Sequence, residues 1–221
     1  MGFFIVKILI VLVIGYLLGS LNTSIIVGKF YGTDIRMHGS GNAGLTNTLR
    51  TLGKTATVLV LLGDILKGVL SYLIGNLVVG SIQMESLVAN HLTTVLGIGG
   101  MVGGIAAIVG HNWPIYFGFK GGKGILTSFS VVMMMDWKLG LLLLGLFIII
   151  VAITRYVSLG SIIACVAFPV GAFIKGNGIV FTLFAAILAI LAISRHNANI
   201  KRLISGTETK IGAKKKTGGE T

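Results

Sequence analysis

The chain has 221 residues, 54% of them hydrophobic, with only 11% charged and a mean hydropathy of +0.97. Ordinary soluble domains carry roughly 25% charged residues, so a single water-soluble core is excluded and the bilayer is the better solvent. The net charge of +12 does not point to nucleic acid: the basic residues are scattered over loops between apolar spans, with no aromatic-rich platform for a strand.

An apolar stretch from Phe3 to Gly28 is long enough to cross a hydrocarbon core of about 30 Å. It has no small-x-small cleavage pattern before Asn22, so it is kept as a first span and not a removed signal. The loop after it reads IRMHGSGNAGLTNTLR. Gly39, Gly41 and Gly44 permit tight turns, Ser40, Asn42, Thr46 and Asn47 offer uncharged hydrogen bonds, and Arg50 offers a planar fork. That set suits a phosphate or carboxylate, although a plain polar connection has similar turn residues.

The second span runs from Thr55 to Gly80 and holds Asp64 and Lys67 three residues apart, a pair expected to neutralise itself inside the bundle. The third runs from Leu87 to Gly110. It leads into GHNWPIYFGFKGGKG, where Gly121, Gly122 and Gly124 surround Lys123 just before a helix, a natural anion nest with a cation beside it. The loop is not a nucleotide-binding GxxxxGKS/T loop, because Gly124 follows Lys123. Lysines that only set topology are the competing reading. Three roles are open to His111: general base, phosphate ligand, or a polar residue at a helix end. Trp113, Tyr116, Phe117 and Phe119 fit an interfacial aromatic belt, at the depth where an acyl chain would enter.

Ile125 to Ile153 is too long for one straight crossing and carries Asp136-Trp137-Lys138 near its middle, so it divides into two helices. Val157 to Ile174 and Ile179 to Ser194 make the sixth and seventh, hinged at Lys175-Gly176-Asn177-Gly178. Cys165, the one cysteine, lies inside an apolar run; it excludes an intrachain disulfide or Cys-based metal site and is expected to be a packing residue. The tail reads SRHNANIKRLISGTETK. His196 and Asn199 share a helix face there, while Arg195 and Arg202 serve either a ligand or the membrane surface.

The expected fold is therefore an all-α integral membrane protein of about seven spans, some short or re-entrant. A single polytopic domain covers residues 1–210, followed by a basic, disordered tail at 211–221. Fourteen Lys and Arg fall in the odd-numbered loops and the tail, whereas the other side keeps only Lys7, Lys138 and Lys175. By the positive-inside bias the N-terminus is outside and the C-terminus cytoplasmic, so the polar motifs converge on the cytoplasmic face.

The inventory excludes several chemistries. The six carboxylates include no pair at the spacing of a shared metal site, which disfavours a magnesium-nucleotide enzyme, and no metal or cofactor is expected. No His is followed five residues later by Asp: those positions hold Ala43, Leu96, Tyr116 and Lys201. No GxSxG elbow occurs either. What remains is a set of cationic, glycine-rich phosphate sites without an evident protein nucleophile. Such a set suits direct transfer between two phosphate-bearing substrates by positioning and anion stabilisation.

Three motifs carry a resemblance: GSGNxGxTNxxR at Gly39 to Arg50, GHxxPxxxxFKGGKG at Gly110 to Gly124, and RHxxNIxRLxxGTExK at Arg195 to Lys210. In this order they resemble the PlsY family, as do GDxLKG at Gly63 to Gly68 and TRYVSLGS at Thr154 to Ser161. The resemblance implies a seven-helix bacterial cytoplasmic-membrane enzyme that moves a fatty acyl group from acyl-phosphate to the 1-hydroxyl of glycerol-3-phosphate. The products would be lysophosphatidic acid and phosphate, with neither acyl-CoA nor acyl carrier protein as direct donor. It implies that Ser40, Arg50, His196 and Asn199 hold glycerol-3-phosphate, and that the glycine-rich loop with Lys123 holds phosphate. The wider candidate binding set is Ser40, Gly41, Asn42, Thr46, Asn47, Arg50, His111, Lys120, Gly121, Gly122, Lys123, Arg195, His196 and Asn199. Catalysis is expected to be substrate-assisted, with Lys123, His196 and Asn199 as its nearest candidates. The expected partners are the two small substrates and membrane lipid, with the chain a monomer. Leu45 replaces the family's usual alanine and Trp113 its usual phenylalanine; neither change removes a polar contact.

Two other classes compete. A transporter for a phosphate-bearing anion needs polar residues through the bilayer, and the spans offer no continuous polar path. A membrane scaffold would tolerate loss of Arg50 and Lys123.

Overall fold

The computed structural model describes residues 2–80 and 97–213, and every regular element among them is helical. In chain order these are α1 (Gly2–Ser20), α2 (Thr23–Phe30), a 3-10 turn (Ile35–Met37), α3 (Leu45–Thr51), α4 (Lys54–Val79) and α5 (Ile98–Asn112). A second 3-10 turn (Ile115–Phe117) follows, then α6 (Ile125–Met135), α7 (Trp137–Thr154), α8 (Val157–Ile174), α9 (Ile179–Ser194) and α10 (Asn197–Ile204). Most boundaries fall where apolar runs meet glycine or a charged turn. The expected third span, Leu87 to Gly110, lies partly outside the described residues, as do Glu85 and the Lys214 to Lys216 run.

About seven spans, some of them short or re-entrant, are expected from the sequence. Among the described residues, four stretches have the length and apolarity to cross: Gly2–Phe30, Lys54–Val79, Trp137–Thr154 and Val157–Ile174. A fifth arises only if α9 and α10, bent by 62°, are taken together. The shortfall is one of length. At 1.5 Å per residue, the 11 residues of α6 rise about 17 Å, well under the hydrocarbon thickness.

The first span is also not continuous. Asn22 ends α1 and caps α2, its Oδ1 accepting from the Ile25 amide at 3.1 Å. A side chain that bonds the backbone locally offers the chain an alternative to continuing the helix. The break is buried and faces the polar end of the molecule, since Asn22 Nδ2 donates to the Ala43 carbonyl (3.4 Å) in the following loop.

α1, α4 and α5 pack through glycine. A Cβ on Gly19 would stand 2.0 Å from the Ala107 carbonyl oxygen, and one on Gly103 would stand 2.2 Å from that of Ser71. Only bare backbones approach this closely. Around the remaining helices the core is larger and aromatic: Phe168 of α8 meets Phe181 of α9 edge-on at 5.9 Å, with Val131, Ile108 and Leu188 buried beside them. Outward faces are apolar too, with Leu77 84% and Ile190 70% exposed, a surface that suits lipid tails.

The helices alternate in direction, so the turns sort to two ends. At one end Asp136, between α6 and α7, caps α7 by accepting from the Leu139 amide (3.1 Å) and receives Lys175 and Asn177 from the α8–α9 turn. The other end gathers the first loop, the glycine-rich loop after α5, the α7–α8 turn and the segment after α9.

Candidate active site

At that second end a cavity of about 500 Å³ opens into the bundle. Its mouth is polar and its depth is apolar. Ser40, Asn42, Thr46, Asn47 and Arg50 border it from the first loop and α3, Lys123 from the glycine-rich loop, His196 and Asn199 from the tail, and Ser158 from α8. Leu61, Ile65, Phe129, Leu144, Phe147 and Phe168 continue it as a trough among α4, α6, α7 and α8.

The first loop holds its shape through Asn47. Asn47 Oδ1 accepts from the Ser40 amide at 2.8 Å, and Nδ2 donates to the carbonyls of His38 (2.9 Å) and Ile35 (3.0 Å). Gly39 turns there with φ +61°, and a Cβ on it would lie 2.2 Å from Asn47 Oδ1. Asn47 therefore builds the loop that presents Ser40, and its side chain has little capacity left for a ligand.

The glycine-rich loop is fixed from below and from the side. The Gly122 amide donates to the His111 carbonyl at 3.1 Å. Arg195 donates to the Gly122 carbonyl (3.1 Å) and the Asn112 carbonyl (3.4 Å) while its guanidinium lies 5.0 Å from the Trp113 ring. Arg195 is thus occupied with the loop and does not line the cavity. Gly41, Lys120 and Gly121 border a neighbouring depression with Asp34 and Arg36, where Arg36 pairs with Asp34 and bonds the Phe117 and Lys120 carbonyls. Nine of the candidate residues face the cavity: Ser40, Asn42, Thr46, Asn47, Arg50, His111, Lys123, His196 and Asn199.

The network at the mouth includes a residue to which the sequence reading gave no role, Glu208. Lys123 Nζ donates to Asn199 Oδ1, whose Nδ2 donates to Glu208 Oε1 (2.7 Å); Ser158 Oγ donates to the same oxygen (2.7 Å) and Arg202 Nε to Oε2 (2.7 Å). Burial acts to raise the Glu208 carboxyl, yet the bonds from Ser158, Arg202 and Asn199 hold it below the usual carboxylate range. Burial pushes the Lys123 ammonium down to about 8; Glu208 offsets part of this, and Arg202, Arg195 and Arg50 push it further down. His196 Nδ1 donates to the Ala192 carbonyl at 2.8 Å, so Nε2 is the acceptor of the neutral ring. Arg50 donates to the Thr209 carbonyl (3.0 Å), which draws the tail across the mouth. The first tail residues beyond it are bound as well, Ile211 exchanging hydrogen bonds with Arg155 (2.8 and 2.9 Å).

Three cations, Arg50, Lys123 and Arg202, gather around one carboxylate here, so the mouth is built for anions. Cys165, expected as a packing residue, is half-buried and borders the apolar trough. Asp64 and Lys67 pair at 2.8 Å as expected, and the pair reaches the cavity wall through Asp64 and His111.

Residues 9–206 match the family model described as glycerol-3-phosphate acyltransferase. A glycerol-3-phosphate acyltransferase of Clostridioides difficile is 44% identical over 210 residues, covering 94% of this chain and 97% of the relative. One of Halalkalibacterium halodurans is 46% identical over 215 residues, covering 93% and 97%. The crystal structure of PlsY (YgiH), an integral membrane glycerol 3-phosphate acyltransferase, superposes in its glycerol 3-phosphate form with a TM-score of 0.81 at 36% identity. That match covers 93% of this chain and 96% of PlsY. The lysophosphatidic acid form of PlsY gives a TM-score of 0.78 at 35% identity, over 93% and 95% of the two chains. The cationic mouth above an apolar trough thus lies in a chain that belongs to the PlsY-type glycerol-3-phosphate acyltransferase family of multi-pass integral membrane enzymes.

Proposed function

We propose that the enzyme transfers a fatty acyl group from acyl-phosphate to the 1-hydroxyl of glycerol-3-phosphate, giving lysophosphatidic acid and inorganic phosphate. The observation that carries this reading is the join, in one cavity, of a mouth bearing Arg50 and Lys123 to an apolar trough. A chain of methylenes fits the trough, and two phosphate groups fit the mouth. Solved forms of PlsY with glycerol 3-phosphate and with lysophosphatidic acid support the acceptor and the product.

Arg50, Ser40, His196 and Asn199 hold glycerol-3-phosphate, and Lys123 with the backbone of the glycine-rich loop holds the phosphate of the donor. The acceptor hydroxyl adds to the acyl carbonyl, the carbon–oxygen bond to phosphate breaks, and the departing phosphate takes the hydroxyl proton. The reaction needs no metal and no cofactor, and the enzyme works as a monomer. The orientation that fits the basic loops puts the mouth at the cytoplasmic face, the N-terminus outside and the C-terminus inside. α5, α6 and α9 are the shorter spans of this arrangement and bring the total to about seven, α6 being too short to cross in full.

The test is phosphate release by detergent-purified protein given palmitoyl-phosphate and glycerol-3-phosphate, with palmitoyl-CoA as parallel donor. Phosphate release that depends on glycerol-3-phosphate and matches the lysophosphatidic acid formed, with no lysophosphatidic acid formed from the CoA donor, is the expected result. Equal turnover of palmitoyl-CoA would refute the donor assignment.

A further inference from the structure

Asp64 and Lys67 of α4 and His111 of α5 form a buried cluster that the chemistry above does not use. Their exposures are 1%, 5% and 3%. A buried ion pair is no bargain for stability: apolar residues of similar volume commonly do as well or better, and charges within a bundle are costly. The geometry gives this pair a positional role.

Lys67 Nζ has three protons and three acceptors in reach: Asp64 Oδ1 at 2.8 Å, His111 Nδ1 at 2.8 Å and the Leu21 carbonyl at 3.4 Å. An ammonium that close to Nδ1 can only donate, so Nδ1 is the ring's acceptor and the neutral imidazole carries its proton on Nε2. Asp64 Oδ1 stands 3.7 Å from Nδ1, and Lys67 contacts both, as an ion pair with the carboxylate and a hydrogen-bond donor to the ring. Nε2 points where the two substrate loops meet. A Cβ on Gly122 would lie 2.1 Å from His111 Nε2 and 2.4 Å from the Ala43 carbonyl oxygen. Ala43 itself is tied through Asn22 to the same break in the first span that Lys67 holds at Leu21.

We propose that the Asp64–Lys67 pair is the positioning device of the acyl-transfer site, fixing the ring orientation and Nε2–H tautomer of His111 and thereby the junction of the two glycine-bearing loops. This inference rests on the acyl-transfer reading for its kinetic arm only. Lys67 and Asp64 are positioning residues; neither reaches the reacting atoms.

The experiment uses the full chain in detergent with 15N-labelled histidine, the His111 signals being assigned by their loss in His111→Gln. Wild type is expected to show the Nε2–H tautomer at His111. Lys67→Met alone leaves an unpaired carboxylate and can unfold, so the Asp64→Asn/Lys67→Met double variant is made beside it. That variant is expected to stay folded, to lose the single tautomer, and to lower kcat by about 10-fold to 100-fold, as loss of an orienting partner does elsewhere. The KM for glycerol-3-phosphate is expected to stay within about threefold, because Arg50 is untouched. A His111 Nδ1–H tautomer in wild type, or a folded double variant with wild-type kcat, overturns the proposal. A wild-type enzyme silent on acyl-phosphate would refute the donor assignment alone, and the tautomer spectrum would still decide this one.

Discussion

Gly122→Ala is the sharpest test of how the glycine-rich loop is held. No positive φ is involved at this position, so the substitution adds no backbone strain and acts through a single methyl group. That methyl would lie 2.1 Å from His111 Nε2, 2.4 Å from the Ala43 carbonyl oxygen and 3.0 Å from His111 Cδ2, whereas ordinary van der Waals contact begins at 3.4 Å. Relief needs a displacement of about 1.3 Å, the gap between the shortest contact and that limit. His111 is pinned by Lys67 and Ala43 belongs to the first loop, so the glycine-rich loop must yield and carry Lys123 with it. A misplacement of about 1 Å at a preorganised site costs on the order of 100-fold in rate. Steady-state phosphate release should therefore show kcat/KM for acyl-phosphate reduced by about that factor, with the KM for glycerol-3-phosphate moving less. Gly145→Ala in α7, where a Cβ meets nothing within 4 Å, is the matched control and should keep wild-type rates. A Gly122→Ala enzyme with unchanged kcat/KM would refute the claim that this loop is sterically set by His111.

The pH profile gives a second test. With the Lys123 ammonium at about 8, the charged form binds anions below that pH and is lost as pH rises through it. Thus kcat/KM should fall above pH 8, whereas bound phosphate holds the proton and moves the kcat limb higher; Lys123→Arg should remove the limb. A flat kcat/KM profile above pH 8 would contradict this. Glu208→Gln removes the charge that offsets burial at Lys123, so its limb should move to lower pH in the same assay. Glu208 titrates below the usual carboxylate range in the folded protein. Its contribution to stability is present above the unfolded carboxylate pKa and lost as pH falls through the folded one, so the acid-side drop in melting temperature should be smaller in Glu208→Gln. Asp136→Asn, at the far end, loses its ion pair with Lys175 but keeps a capping side chain; it should cost about 1 kcal/mol in thermal unfolding and leave kcat unchanged.

Much of the site is visible in the sequence because its chemistry is local. The turn glycines, Arg50, Lys123, and the His196 and Asn199 face announce themselves within a few residues, and alternating charge places them at one end. What the sequence conceals depends on distance across the fold. Asn22 sits in an apolar window that hydropathy averages over, so the break in the first span is silent until its cap is seen. The same averaging cannot show that α6 stops after 11 residues. Arg195 reads as a ligand because it neighbours His196, yet the helix turn sends it to Trp113 and the glycine-loop carbonyl. Glu208 did leave a signal, since it is the one carboxylate in a tail otherwise basic as far as Lys216, and a lone anion among cations is there to organise them. Lys67 and His111 lie 44 residues apart on different helices, and no spacing rule pairs them.

The arrangement at the mouth also bears on where the hydroxyl proton goes. Glu208, its one carboxylate, accepts from Ser158, Asn199 and Arg202 and is held below the usual carboxylate range, which makes it a weak base. Lys123 acts as a cation, and Asn199 has both ends of its amide engaged. His196 keeps an acceptor in Nε2, suited to orienting a hydroxyl. A phosphate oxygen, with a second ionisation near roughly 6, is a better proton acceptor than Glu208 and reaches the site attached to the proposed donor. The cations that hold it lower the cost of the charge it gains as the acyl bond breaks. An acyl thioester carries no such oxygen beside its carbonyl, so on this chemistry it should fail at the transfer step even when its chain occupies the trough. The diagnostic result would be palmitoyl-CoA, or a nonhydrolysable thioether analogue, inhibiting the reaction competitively against palmitoyl-phosphate without itself yielding lysophosphatidic acid.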